Sequence, residues 1–157
     1  MNTPIKTYTI TEAKKKMEYY CAYQERCHKE VKIKLGEMRM IPDAIDLIIA
    51  HLIQENYINE ERFALSFTRG KFRQKQWGRL RIKRELKQRE ISDYLITKAL
   101  KEIQTDYDKV FQQLAEKRLK QLTKETNKYK KRKKLADYLA YRGWEGDLIY
   151  EFVIHNI

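Results

Sequence analysis

Ile82-Lys83-Arg84-Glu85-Leu86-Lys87-Gln88-Arg89-Glu90-Ile91-Ser92-Asp93-Tyr94-Leu95-Ile96-Thr97-Lys98-Ala99-Leu100 is the stretch that decides the fold. Ile82 and Leu86 stand four apart, the spacing that puts two side chains on one face of a helix. The next five residues turn a corner to Ile91, and Ile96 and Leu100 then resume the four-residue step. Ser92, just ahead of Asp93, supplies an N-cap for the second helix. The segment predicts helix, turn, helix.

Working outward, the same five apolar positions recur on both sides. Val31, Leu35, Met40, Ile45 and Ile49 precede them, and Leu135, Leu139, Trp144, Ile149 and Val153 follow, with the same internal spacing. A period of about fifty residues signals an array of small helical units. The turns carry fitting residues, with Pro42 near the start of a helix and Gly143 and Gly146 around Trp144. Another helical stretch leads into each pair: 11–23 with Ala13, Met17 and Tyr20, 59–75 with Phe63, Ala64 and Phe67, and 106–126 with Phe111, Leu114 and Leu122. Thr9 with Glu12, Asn59 before Glu60 and Glu61, and Thr105 before Asp106 and Asp108 give these leading helices negatively biased starts.

The expected fold is therefore all-α: an N-terminal extension (1–10) and three tandem three-helix repeats of helix-turn-helix character at 11–57, 58–104 and 105–157. A three-helix unit of this size buries too little to be secure alone, so the units should stack into an elongated, curved array of either hand. Two prolines and five glycines in 157 residues leave little to interrupt helix. No apolar run reaches the roughly 18 residues of a membrane span, and 1–10 lacks the apolar stretch of a secretory signal. A cytoplasmic protein without membrane partner is expected, with Cys21 and Cys27 as free thiols.

Charged residues make up 36% of the chain and its net charge is +12, which makes phosphate backbones the first partner to consider. The basic residues crowd into two places. Arg69, Lys71, Arg73, Arg79, Arg81, Lys83, Arg84, Lys87 and Arg89 surround the second helix of the middle repeat, and Lys130, Lys131 and Arg132 belong to the run 117–134. With Ile82 and Leu86 facing a core, Lys83, Arg84 and Lys87 fall on the flank and outer face of their helix. Reversal of Arg81, Arg84 and Lys87 is expected to weaken partner binding without unfolding the chain. Reading of base edges is disfavoured, because 92–104 carries mainly Lys98 and Lys101 and no cluster of Arg, Asn and Gln. Tyr19, Tyr20 and Tyr23 cannot all face inward from one helix. Core packing is nevertheless expected of them ahead of base stacking.

No catalytic, cofactor or metal site is expected. His28, His51 and His155 form no helical metal pair, and Cys21, Cys27 and His28 match no zinc spacing. Ser66 and Ser92 lack a nucleophile elbow, and no phosphate-cradling G-x-x-x-x-G-K-[ST] is present. Glu60, Glu61 and Glu85 are better explained as helix-start charges or ion-pair partners than as nuclease carboxylates.

The run Tyr57-Ile58-Asn59-Glu60-Glu61-Arg62-Phe63-Ala64, then Arg69, then Gly78-Arg79-Leu80-Arg81-Ile82-Lys83-Arg84-Glu85-Leu86-Lys87, resembles the central signature of the RecX family. Trp77 stands where that signature usually has a small residue. The resemblance implies three tandem three-helix repeats and a non-enzymatic regulator, usually an inhibitor, of the RecA recombinase. Such a regulator lies in the groove of the RecA filament on single-stranded DNA and affects recombination, DNA repair and the SOS response. The expected form is a monomer. The competing reading is a free-standing basic helical module that binds DNA or regulates transcription.

Overall fold

The computed structural model describes residues 4–157, so the first three residues of the expected extension lie outside the described residues. The described residues form nine α-helices and no strand: α1 (Ile10–Tyr23), α2 (His28–Glu37), α3 (Pro42–Gln54), α4 (Glu60–Gly70), α5 (Arg79–Gln88), α6 (Asp93–Leu100), α7 (Tyr107–Gln121), α8 (Lys128–Tyr141) and α9 (Gly146–Asn156). The expected helix starts are largely met. Thr9 and Glu12 form a reciprocal capping box on α1, and Asn59 and Ser92 accept backbone N–H bonds at the starts of α4 and α6.

Two of the leading helices depart from expectation. The stretch 59–75 is α-helical only to Gly70, then widens into a π-helical turn, Lys71–Lys75, that the left-handed Gln76 (φ 53°) ends. This wide turn sends Phe72 into the core, beside Tyr107. The third leading helix is shorter than 106–126 and starts at Tyr107. A 3-10 turn at Lys101–Ile103 occupies the approach, and Asp106 rather than Thr105 holds the N-cap position.

The repeat is written into the backbone as well as the side chains. Arg39, Glu90 and Gly143 occupy equivalent positions after α2, α5 and α8, and all three have positive φ (62°, 61° and 93°). In each case the following residue's N–H reaches back to close the helix: Met40 to Leu35 (3.1 Å), Ile91 to Leu86 (3.1 Å) and Trp144 to Leu139 (3.2 Å). This is a left-handed helix cap that satisfies otherwise orphaned carbonyls. Of the fifteen repeated apolar positions, all are buried except Met40, Ile49 and Leu100, which are half-buried.

The core divides in two. Ala13, Met17, Val31, Leu35, Ile48 and Leu52 belong to one cluster, confined to α1–α3 and the turn that follows. Phe63, Phe72, Ile82, Leu86, Tyr107, Phe111, Leu139 and Trp144 belong to the other, which runs continuously from α4 to α9. Cys27, at the start of α2, packs into this second cluster. Around it the seam is polar. Arg62 Nε pairs with Glu25 Oε1 (2.6 Å), the His28 N–H donates to Glu60 Oε1 (3.3 Å), and Lys29 Nζ donates to the Gln88 carbonyl (2.5 Å). Burial raises the Glu60 carboxyl above the usual range. Both cysteines are free and buried, and burial pushes Cys21 up to about 11 and Cys27 up to about 12.

Candidate nucleic-acid and partner interface

The middle basic helix is held from behind by backbone. The Gly78 N–H donates to the Arg142 carbonyl (2.8 Å) and the Leu80 N–H to the Gly143 carbonyl (3.0 Å), which docks the start of α5 on the turn between α8 and α9. A Cβ on Gly78 would overlap the Gly143 carbonyl, and one on Gly143 would overlap the backbone of Arg81. Only two glycines allow so close an approach. Trp144 Nε1 donates to the Gln76 carbonyl (3.0 Å) and Arg142 Nη1 to that of Lys75 (2.6 Å). The buried Tyr107 hydroxyl accepts from the Arg79 N–H (2.9 Å) and donates to Glu145, and burial raises its pKa.

This docking sorts the expected contact residues. Arg79 stacks on Tyr107 (3.7 Å to the ring centre) and pairs with Glu145 (3.5 Å). Arg81 lies against the rings of Trp77 (4.1 Å) and Tyr141 (4.8 Å) and donates to the Tyr141 carbonyl (3.3 Å). Both therefore brace the joint between the second and third units. Reversing Arg81 would strike that joint as well as any outer surface, contrary to the expectation that it leaves the fold intact. Arg89 is tied to Glu85 (3.0 Å) over the Phe67 ring, and Lys71 sits over Phe67 and Trp77. Arg69 pairs with Glu102 (2.9 Å), and Arg132 donates to the Ile157 carbonyl (3.1 Å).

Lys83, Arg84 and Lys87 remain on the outside. With Leu80 and Gln88 they line one shallow depression along α5, and all three are exposed. Lys83 and Arg84 have no ion pair among the described residues, while Lys87 reaches the exposed Asp93 at 3.5 Å. Arg73 is exposed on the wide turn, and Lys130 is exposed on α8 beside the half-buried Lys131. Among the described residues no cluster of His, Cys, Asp and Glu could hold a metal ion, and no helix is long and apolar enough to cross a membrane.

Sequence reasoning missed the joint itself. Tyr107 and Glu145 sit in helix-start contexts that give no hint of a shared hydrogen bond 38 residues apart. Gly143 was visible in the sequence only as turn punctuation, and nothing there linked it to Gly78.

Helical triplets in tandem, with a basic helix braced at its back and open in front, define a protein of the tandem three-helix-repeat class. The chain matches the family models for the second three-helix domain of RecX over residues 59–100 and the third over 106–153. It is 32% identical to the regulatory protein RecX of Chlorobium phaeobacteroides, over 82% of each protein. It is 30% identical to the regulatory protein RecX of Streptococcus uberis, over 83% of this chain and 50% of that protein. The chain spans half or less of the length of the streptococcal relatives it matches. The crystal structure of RecX from Lactobacillus salivarius superimposes with a TM-score of 0.76 at 28% identity, over 93% of this chain and 94% of the other. The chain belongs to the RecX family.

Proposed function

We propose that this protein regulates the RecA recombinase, most simply as an inhibitor, by binding its filament on single-stranded DNA, and that it does so without catalysis. The observation that carries this reading is the exposed row Lys83, Arg84 and Lys87, set on a helix whose back is locked to the next unit. A row held this way meets DNA phosphates or acidic protein surfaces without first being ordered, so less affinity is lost to entropy. Several contacts along tandem units raise effective concentration on a repeating partner. A monomer acting in the cytoplasm, where a recombinase filament assembles on DNA, fits this mode of binding.

The test is ATP hydrolysis by the cognate RecA on single-stranded DNA, titrated with the protein and with a Lys83→Glu, Arg84→Glu, Lys87→Glu variant. A dose-dependent fall with the wild type, and a weaker one with the variant, is expected. No effect of the wild type would sink the regulatory reading and leave a general DNA-binding module. Equal potency of the variant would reject this face of α5 as the contact.

A further inference from the structure

We propose that the first three-helix unit carries a separate site for single-stranded nucleic acid, in which bases stack in an aromatic groove between α1 and α2. Tyr19, Tyr20 and Tyr23 lie within five residues of α1, and with Lys16, Arg26 and Lys34 they line one groove over the buried Met17. The expectation that these tyrosines pack in the core holds for Tyr20, which lies against the first cluster, and is not met by the other two. Tyr19 is 74% and Tyr23 75% exposed, and only Tyr20 is half-buried. Tyr19 and Tyr23 are one helical turn apart, so their rings project from the same ridge.

The cations are arranged around those rings. The Arg26 guanidinium lies 3.8 Å from the Tyr20 ring centre and is fixed there by an Nε bond to the Tyr20 carbonyl (3.2 Å), with Lys34 Nζ 5.9 Å from the same ring. Lys16 Nζ is held by the Tyr8 hydroxyl (3.0 Å). The groove thus has three cations and no carboxylate in its lining, an apolar floor and two freely accessible rings.

That combination fits a chain of alternating phosphates and flat bases. Every base has a π-face, and bases stack on aromatic rings and on guanidinium planes, while Lys and Arg take the phosphates. A duplex offers no free base faces, so single strands are the ligand. An acidic peptide could satisfy the cations, but it would leave two exposed rings without planar partners. The site is distinct from the α5 row and requires no recombinase, so it stands or falls separately from the proposed function.

The test is fluorescence anisotropy with a fluorescein-labelled thymidine oligonucleotide and an abasic oligonucleotide of equal length, which keeps the phosphates but lacks bases. The wild type is expected to prefer the thymidine strand, and a Tyr19→Ala, Tyr23→Ala variant to lose about fivefold or more of its affinity for that strand alone. Because both rings are exposed, the variant should keep the wild-type circular dichroism and melting temperature. The Lys83→Glu, Arg84→Glu, Lys87→Glu variant, by contrast, should bind both probes more weakly by the same factor. Equal binding of the two probes by the wild type, an unchanged preference in the tyrosine variant, or displacement by poly-glutamate but not by unlabelled thymidine strand would each overturn the proposal.

Discussion

Gly143 has two separate reasons to be glycine. Its φ of 93° is unfavourable for any residue with a Cβ, and that Cβ would also meet the Arg81 backbone. Gly36 is the contrast: it lies within α2 with open space around it, so only its backbone entropy matters. Gly143→Ala should therefore destabilise the protein by about 2 kcal/mol or more, and Gly36→Ala should stabilise it by about 0.5 to 1 kcal/mol. Urea midpoints of the two variants check this, and a Gly143→Ala midpoint at or above wild type would refute the tight joint. Gly143 was legible in the sequence as turn punctuation. Its second role was not, because a close approach between positions 78 and 143 is a fact of tertiary packing that no local spacing encodes.

At the scale of the element, the left-handed cap recurs after α2, α5 and α8, yet only the third has glycine there. Arg39 and Glu90 hold the same conformation against a steric cost of about 1 kcal/mol. Glu90→Gly should raise stability by up to about 1 kcal/mol, less whatever the added chain entropy of glycine takes back. A clear loss of stability on thermal melting would instead mean that the Glu90 side chain supports the turn. The apolar ladder revealed the helices because burial forces periodicity. It could not reveal the caps at Arg39 and Glu90, where ordinary residues adopt an unusual backbone and leave no compositional trace. The same limit explains the end of α4: nothing in Lys71-Phe72-Arg73-Gln74-Lys75 announces a wider turn, and the reason for it, a place for Phe72 beside Tyr107, lies in another unit. For the site, the cluster of cations was legible as a list, but which guanidinium groups brace the joint and which face outward depended on Trp77, Tyr107, Tyr141 and Glu145.

For the whole molecule, the division of the core matters most. One cluster is closed within α1–α3, and the other is shared by the remaining six helices. Across the seam lie charged and polar groups, with Cys27 as the buried apolar link. Such contacts stabilise less than a continuous apolar core, so local opening should follow the seam. Leu52→Ala, which empties a buried position in the first cluster, should raise deuterium uptake across α1–α3 and spare α7–α9. Leu139→Ala should raise it from α4 to α9. Hydrogen exchange read by mass spectrometry decides the matter, and a uniform rise in both variants would show one cooperative unit.

The aromatic joint also determines what light can report. The chain has two tryptophans, and both belong to the second cluster: Trp144 is buried beside Tyr107 and Phe111, and Trp77 packs edge-on to Phe67 beside Arg81. Emission excited at the red edge of the indole band therefore follows the fate of that joint and is silent about the first three helices, which contain tyrosine as their only large chromophore. Tryptophan fluorescence thus reports on one part of this protein, whereas far-ultraviolet dichroism sums over all of its helices.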